Sequence, residues 1–139
     1  LLIGYLSEAG FDVQYRSMDD GAAYEELLAG NYTLVYMYWT RPDPSPLRYL
    51  FHSENANGGG AWTNFVNEDL DNALADADTN TDEAARKQDY IVAQNIIMEN
   101  ALVLPMFTVN TSYITAPAVQ GFSFDLEGYP YLYDISISE

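Results

Sequence analysis

The stretch TLVYMYWTRPDP, residues 33–44, decides how the chain is interpreted. Its first half, from Thr33 to Trp39, is almost continuously apolar, which is typical of a strand in the middle of a parallel sheet. Its second half is a loop stiffened by Pro42 and Pro44. Because ligands of open α/β proteins bind beyond the carboxyl ends of the strands, this loop is the first candidate for a binding cleft. The alternative is that Trp39 closes a core and the prolines only end the strand.

The segments that precede this strand complete a βαβ pattern. Apolar and polar residues alternate from Phe11 to Arg16, as in a half-buried strand. Asp19 or Asp20 then caps a helix that stops at Gly30. A strand, about ten helical residues and a second strand form a right-handed unit with parallel strands. The sequence therefore predicts an α/β fold.

Three more helices and several extended segments are predicted elsewhere. Leu2 to Ala9 have helical spacing before Gly10, and a short helix or turn is expected at residues 47–51. Asn67 caps one of two longer helices, and Thr81 or Asp82 caps the other. Their core-facing positions are Leu70, Ala73, Leu74, Ala77, Tyr90, Ala93, Ile97 and Ala101. Extended segments are expected at residues 103–109, 113–115, 122–124 and 128–137.

Composition narrows the classes of function. The chain has 139 residues, of which 48% are apolar, and this suits a single core. It has no cysteine and one histidine, His52, which excludes thiol chemistry and multi-histidine metal sites. Its formal net charge of −16 repels nucleic acid and anionic membrane surfaces. Because the acidic residues are dispersed and lysine is nearly absent, we interpret the charge as that of a halophilic protein; an acidic interaction module is the alternative.

A series of short motifs follows a recognisable order along the chain. Upstream lie E-A-G-F-D-V, from Glu8 to Val13, and the loop from Trp39 to Pro44. Downstream lie, in order, Asn64-Phe65-Val66-Asn67-Glu68-Asp69-Leu70-Asp71, then Asp82, Arg86 and Tyr90, then Ala93-Gln94 and Leu104-Pro105. Together they resemble solute-binding protein family 5, the peptide and nickel class of ABC-transporter substrate-binding proteins. The resemblance covers essentially the whole chain, and its specificity comes from the order and spacing of the pieces.

The resemblance implies a C-terminal lobe fragment of a type II periplasmic-binding-protein fold, in which two lobes close on a ligand. Residues 1–107 would form the second lobe, truncated at its N-terminus, and residues 108–139 would cross back to the first lobe. The implied function is non-catalytic binding of a peptide-like or other small solute for an ABC importer. The intact protein is expected outside the cytoplasm, anchored at the cell surface, with an ABC permease as its partner.

The resemblance also implies a set of ligand-binding residues in the loop after the central strand and in the loop from Asn57 to Asn64. They are Tyr38, Trp39, Arg41, Asp43, Trp62 and Asn64. Trp39 would stack on the ligand, while Arg41 and Asp43 would set its charge preference. Peptide binders of the family usually carry an aspartate three residues after the tryptophan, where this chain has Pro42. No catalytic residue, metal ligand or cofactor is expected.

Two other functions stay open at this point, and one oligomeric state is expected. His52 near the cleft loop suits nickel or metal-chelate binding, although the nickel branch has an aromatic residue in its loop that this chain lacks. An acidic, carboxylate-dependent hydrolase is the second alternative, although neighbouring carboxylates more often cap helices. The pairs concerned are Asp19 with Asp20 and Asp69 with Asp71. Because residues 108–139 carry much apolar surface, we expect a homodimer of this chain.

Overall fold

A computed structural model describes residues 1–39, 41–56 and 63–138 of the chain. The chain divides into two compact units, Leu1–Val35 and Tyr36–Glu139. The helices are α1 (Leu2–Glu8), α2 (Asp20–Leu28), α3 (Pro46–Phe51), a 3₁₀ helix (Ser53–Asn55), α4 (Glu68–Thr79) and α5 (Glu83–Glu99). The strands are β1 (Val119–Gln120), β2 (Ser123–Phe124), β3 (Pro130–Tyr131) and β4 (Ser136–Ile137). The described fold is therefore a mixture of helices with a few short strands.

The first unit contains the two helices that the sequence predicts there. The Asp19 carboxylate caps α2 by accepting a hydrogen bond from the Ala22 N–H at 3.1 Å. Leu27 is the buried residue of this helix, which ends at Leu28, two residues before Gly30. Helix α1 likewise stops just before Gly10. A side-chain cap thus begins α2, and a glycine with positive φ follows the end of each helix.

The core of the second unit is the antiparallel pair α4 and α5. Asn67 caps α4 by accepting from the Leu70 N–H at 2.9 Å, and Asp82 caps α5 by accepting from the Ala85 N–H at 2.8 Å. The buried residues of the two helices are Leu70, Ala73, Leu74, Ala77, Tyr90, Ala93 and Ile97. These predictions are confirmed. The prediction for Ala101 is wrong, because α5 ends at Glu99 and Ala101, exposed, adopts a φ of +50°.

Short strands occur only near the end of the described chain. Strand β1 pairs antiparallel with β4, and β2 pairs antiparallel with β3. Gly121 lies between β1 and β2, where a Cβ atom would clash with the Asp134 carbonyl oxygen. Only glycine allows the two backbones to approach this closely. Strand pairing within residues 122–124 and 128–137 agrees with the predicted extended segments there.

The predicted βαβ unit is not formed in the described residues. The structure describes no strand between residues 11 and 16 or between residues 33 and 39, and none at residues 103–109 or 113–115. A continuous apolar segment becomes a strand when a neighbour satisfies its backbone hydrogen bonds and flanking layers cover its faces. Leu34 and Tyr36 are 63% and 60% exposed, so those covering layers are missing. The apolar pattern predicts that the segment needs to be buried, and in the described structure Leu34 and Tyr36 are not buried.

In the described parts of the chain, none of the helices combines the length and the apolar character that crossing a bilayer requires.

Candidate ligand-binding site

A shallow pocket opens beside the loop that follows Trp39. It has a volume of about 300 Å³ and is lined by Trp39, Arg41, Ser45, Pro46 and Tyr49. The loop contributes the first two side chains, and the start of α3 contributes the others. The described lining residues combine two aromatic rings with one charged side chain, groups that can contact the apolar and polar parts of a small solute.

Two aromatic rings form the apolar part of this pocket. The ring centroids of Trp39 and Tyr49 lie 5.7 Å apart with the planes tilted by 41°, a favourable geometry for an aromatic pair. Trp39 is 44% exposed, so it does not close a core as the alternative interpretation required.

Arg41, the charged side chain among the described residues of the pocket lining, forms an ion pair. Its Nη1 donates a hydrogen bond of 2.8 Å to Oε1 of Glu127. The two residues are 86 positions apart in the sequence. This contact joins the loop after Trp39 to the turn between β2 and β3.

Asp43 has a local structural role in the same loop. Its Oδ1 accepts a hydrogen bond from the Ser45 N–H at 2.8 Å. Hydrogen bonds from the Ser45 side chain and backbone, aided by the charges of Arg86 and Arg41, hold the pKa of this carboxyl below its usual value. Asp43 therefore stays ionised and fixes the entry into α3.

Helix α3 is held in place from both sides. Phe51 belongs to the core cluster of α4 and α5, and Leu47 and Leu50 pack against that cluster. On the outer side, Nε and Nη2 of Arg48 donate to the two carboxylate oxygens of Glu54 at 2.9 and 3.1 Å. These contacts fix α3 and therefore the position of Tyr49 in the pocket lining.

The ion pair of Arg48 and Glu54 extends to α4. Nη1 of Arg48 lies 3.5 Å from Oδ2 of Asp78. Hydrogen bonding to Glu54 raises the pKa of Arg48, and hydrogen bonding to Arg48 lowers the pKa of Glu54 below its usual 4.5. Ser53 donates its N–H to Oδ1 of Asp71 at 2.8 Å and its hydroxyl to Oδ2. These contacts tie α3 and the 3₁₀ helix to α4.

Tyr38, Asp43 and Asn64 are not among the described residues that line the pocket. Tyr38 is exposed and precedes Trp39, while Asn64 is exposed with a φ of +49°. Trp62 lies outside the described residues. The structure thus brings Trp39 and Arg41 together, and the ligand contacts of all six residues stay predictions. Sequence reasoning missed Tyr49 and Glu127.

The alternatives of metal binding and hydrolysis gain no support from the described residues. Nδ1 of His52 accepts a hydrogen bond from the Glu54 N–H at 3.1 Å and so caps the 3₁₀ helix. In the described part of the chain, no group of three or more His, Cys, Asp or Glu residues is arranged to hold a metal ion. Of the suggested carboxylate pairs, Asp19 caps α2 and Asp71 binds Ser53.

Comparison with known proteins identifies distant relatives of this chain. It is 24% identical over 123 residues to the "Probable D,D-dipeptide-binding periplasmic protein DdpA" of Escherichia coli (strain K12), covering 86% of this chain. It is 27% identical over 125 residues to the "Probable di/tripeptide-binding protein 5" of Pseudomonas aeruginosa (strain UCBPP-PA14), covering 88% of this chain. It is 25% identical over 113 residues to the "Periplasmic murein peptide-binding protein MppA" of Escherichia coli (strain K12), covering 81%.

The chain spans 21–24% of the length of these curated relatives. The expected resemblance to the peptide-binding proteins of solute-binding protein family 5 is confirmed as distant homology over most of the chain. All three relatives are named as binding proteins, which agrees with the expectation that the chain is non-catalytic. No protein-family model matches the chain. No solved structure matches it significantly.

Proposed function

We propose that this chain contributes the ligand-binding part of an extracytoplasmic solute-binding protein that serves an ABC importer. The peptide-binding relatives support a peptide-like solute. The observation that carries the proposal is the pocket in which the aromatic pair of Trp39 and Tyr49 stands beside Arg41. Aromatic faces suit the apolar body of a short peptide or similar solute, and polar groups fix its orientation.

The same homology supports a proposal for the architecture of the intact protein. We propose that residues 1–107 belong to the second lobe of a type II periplasmic-binding-protein fold and that residues 108–139 cross toward the first lobe. Ligand binding would then favour the closed form, and an ABC permease would recognise that form. The proposal places the protein outside the cytoplasm, at the cell surface.

The ligand-binding residues of the proposal are those expected from the sequence together with one found in the structure. They are Tyr38, Trp39, Arg41, Asp43, Trp62, Asn64 and Tyr49. Of these, Trp39 is expected to contribute most, because a desolvated aromatic anchor dominates the binding energy of many sites.

Native mass spectrometry of the protein, purified without refolding, tests the proposal. A bound solute should appear as an added mass that fragments as a short peptide. Trp39→Ala should weaken binding by roughly 2 kcal/mol, about thirtyfold in Kd, so the added mass should largely disappear. The matched control is Tyr133→Ala, because Tyr133 is an almost fully exposed aromatic residue. Equal loss of the added mass in both variants, or none in Trp39→Ala, would contradict the proposed site.

A further inference from the structure

We propose that Glu127 is a specificity-determining residue of the pocket: by pairing with Arg41 it reduces the positive charge of the site and weakens its preference for a ligand carboxylate over a neutral group. This inference rests on the proposed function for its ligand. The pairing itself is a feature of the structure, with a separation of 2.8 Å between Nη1 and Oε1.

Glu127 is presented by a turn whose backbone is fixed. The turn joins β2 to β3, and Oδ1 of Asp125 accepts hydrogen bonds from the N–H groups of Glu127 and Tyr129 at 2.9 and 2.8 Å. The Asp125 N–H donates to the Tyr129 carbonyl at 2.9 Å, and Gly128 supplies a φ of +85°. A carboxylate on such a turn needs little reordering to meet the guanidinium of Arg41.

An aromatic cluster of Tyr113, Phe122 and Phe124 is connected to the turn that carries Glu127. The hydroxyl of Tyr113 donates to the Gly128 carbonyl at 3.2 Å. The Tyr113 ring lies 4.8 Å from that of Phe124 and 5.7 Å from that of Phe122, measured between centroids. The cluster therefore connects the turn to the strand β2. The packing of this cluster therefore helps to fix the position of Glu127 independently of its ion pair with Arg41.

The charges near the pocket explain how Glu127 would act on specificity. Arg41 is the charged side chain among the described residues that line the pocket. Paired with Glu127, it offers little net charge to a solute. A carboxylate ligand that approaches Arg41 would also meet the nearby carboxylate of Glu127, and this repulsion reduces its affinity. A neutral solute meets no such penalty.

Iodide quenching of Trp39 fluorescence tests the charge of the pocket without any ligand. The chain has two tryptophans, so all proteins compared carry Trp62→Phe. Glu127→Gln should raise the iodide quenching constant about twofold, because an unpaired cation near Trp39 attracts the anion, while quenching by neutral acrylamide stays unchanged. The matched control is Glu99→Gln, which removes one charge at an exposed position near the end of α5.

A second substitution shows whether the effect passes through Arg41. Adding Arg41→Gln to Glu127→Gln should abolish the increase in iodide quenching. Equal iodide quenching in Glu127→Gln and Glu99→Gln, or an increase that persists in the double variant, would overturn the inference. If circular dichroism shows that Glu127→Gln does not fold, iodide quenching of the single variant Arg41→Gln decides the test. It should lower iodide quenching because Glu127 is left uncompensated, and unchanged quenching would overturn the inference.

Dialanine and its C-terminal amide extend the test to ligand choice. Glu127→Gln should shift the ratio of the two affinities about tenfold toward the free acid, the effect of one charged hydrogen bond. A shift of similar size in Glu99→Gln, or none in Glu127→Gln while both compounds bind, would overturn the inference. If neither compound binds to any variant while the quenching results are as expected, the peptide function fails and the charge assignment stands.

Discussion

Leu74→Ala tests the packing that holds the pocket in place. The Leu74 side chain is fully buried between α4 and α5, in one cluster with Phe51 of α3. Replacing it removes apolar surface from the core and leaves a cavity that its neighbours fill only partly. We therefore expect the free energy of unfolding to fall by about 3 kcal/mol. For a chain of this size, that loss lowers the melting temperature by roughly 10 °C.

Thermal unfolding followed by circular dichroism at a constant, high KCl concentration measures this effect. Leu132→Ala is the matched control, because it makes the same chemical change at a side chain that is 71% exposed. The control should shift the free energy of unfolding by less than about 0.5 kcal/mol. Since Phe51 and the pocket residue Tyr49 share α3, the emission of Trp39 should change over the same temperature range. A loss below about 1 kcal/mol in Leu74→Ala, or a loss equal to that of Leu132→Ala, would refute the assigned core.

Three further predictions concern charge and assembly. A net charge of −16 is screened only when the Debye length is short, below roughly 10 Å. The melting temperature should therefore rise steeply between dilute buffer and molar KCl. A flat profile would contradict the halophilic interpretation. Because Arg48 lowers the pKa of Glu54, the pair contributes stability above the usual pKa of 4.5 and loses it as the pH falls through the lowered value. The difference in stability between wild type and Glu54→Gln should therefore shrink toward zero in acid, whereas a difference independent of pH would contradict this role. Light scattering in high salt should give about twice the chain mass of 15.6 kDa, and a monomer mass would exclude the proposed homodimer.

The helices could be predicted from the sequence because their signals are local. Asn67 and Asp82 are three residues away from the N–H groups that they cap, and the apolar face repeats every three or four positions. A short window of sequence contains all of this information. The buried positions of α4 and α5 could be predicted for the same reason. The prediction for Ala101 was wrong because the helical spacing of apolar residues continues in the sequence past Glu99, where α5 ends.

The strands could not be predicted with equal success, because pairing depends on residues distant in the sequence. The segment from Thr33 to Trp39 has the composition of a central strand, yet no described neighbour pairs with it. Conversely, β1 pairs with β4 across the whole β2–β3 hairpin, in a register that no local pattern indicates. Apolar composition predicts that a segment needs burial. It does not predict which segment will provide it.

The pocket shows the same division between local and distant signals. Tyr49 could have been found, because Leu47, Leu50 and Phe51 occupy the core side of α3 and leave Tyr49 on the face beside Trp39. Glu127 could not, because nothing in the turn Asp125 to Tyr129 indicates that its carboxylate will meet an arginine 86 residues earlier. Arg41 alone would suggest a site that prefers anions, whereas Arg41 with its partner suggests a site in which that preference is weaker. A charge read from the sequence therefore predicts specificity only after the fold has shown which opposite charge it meets.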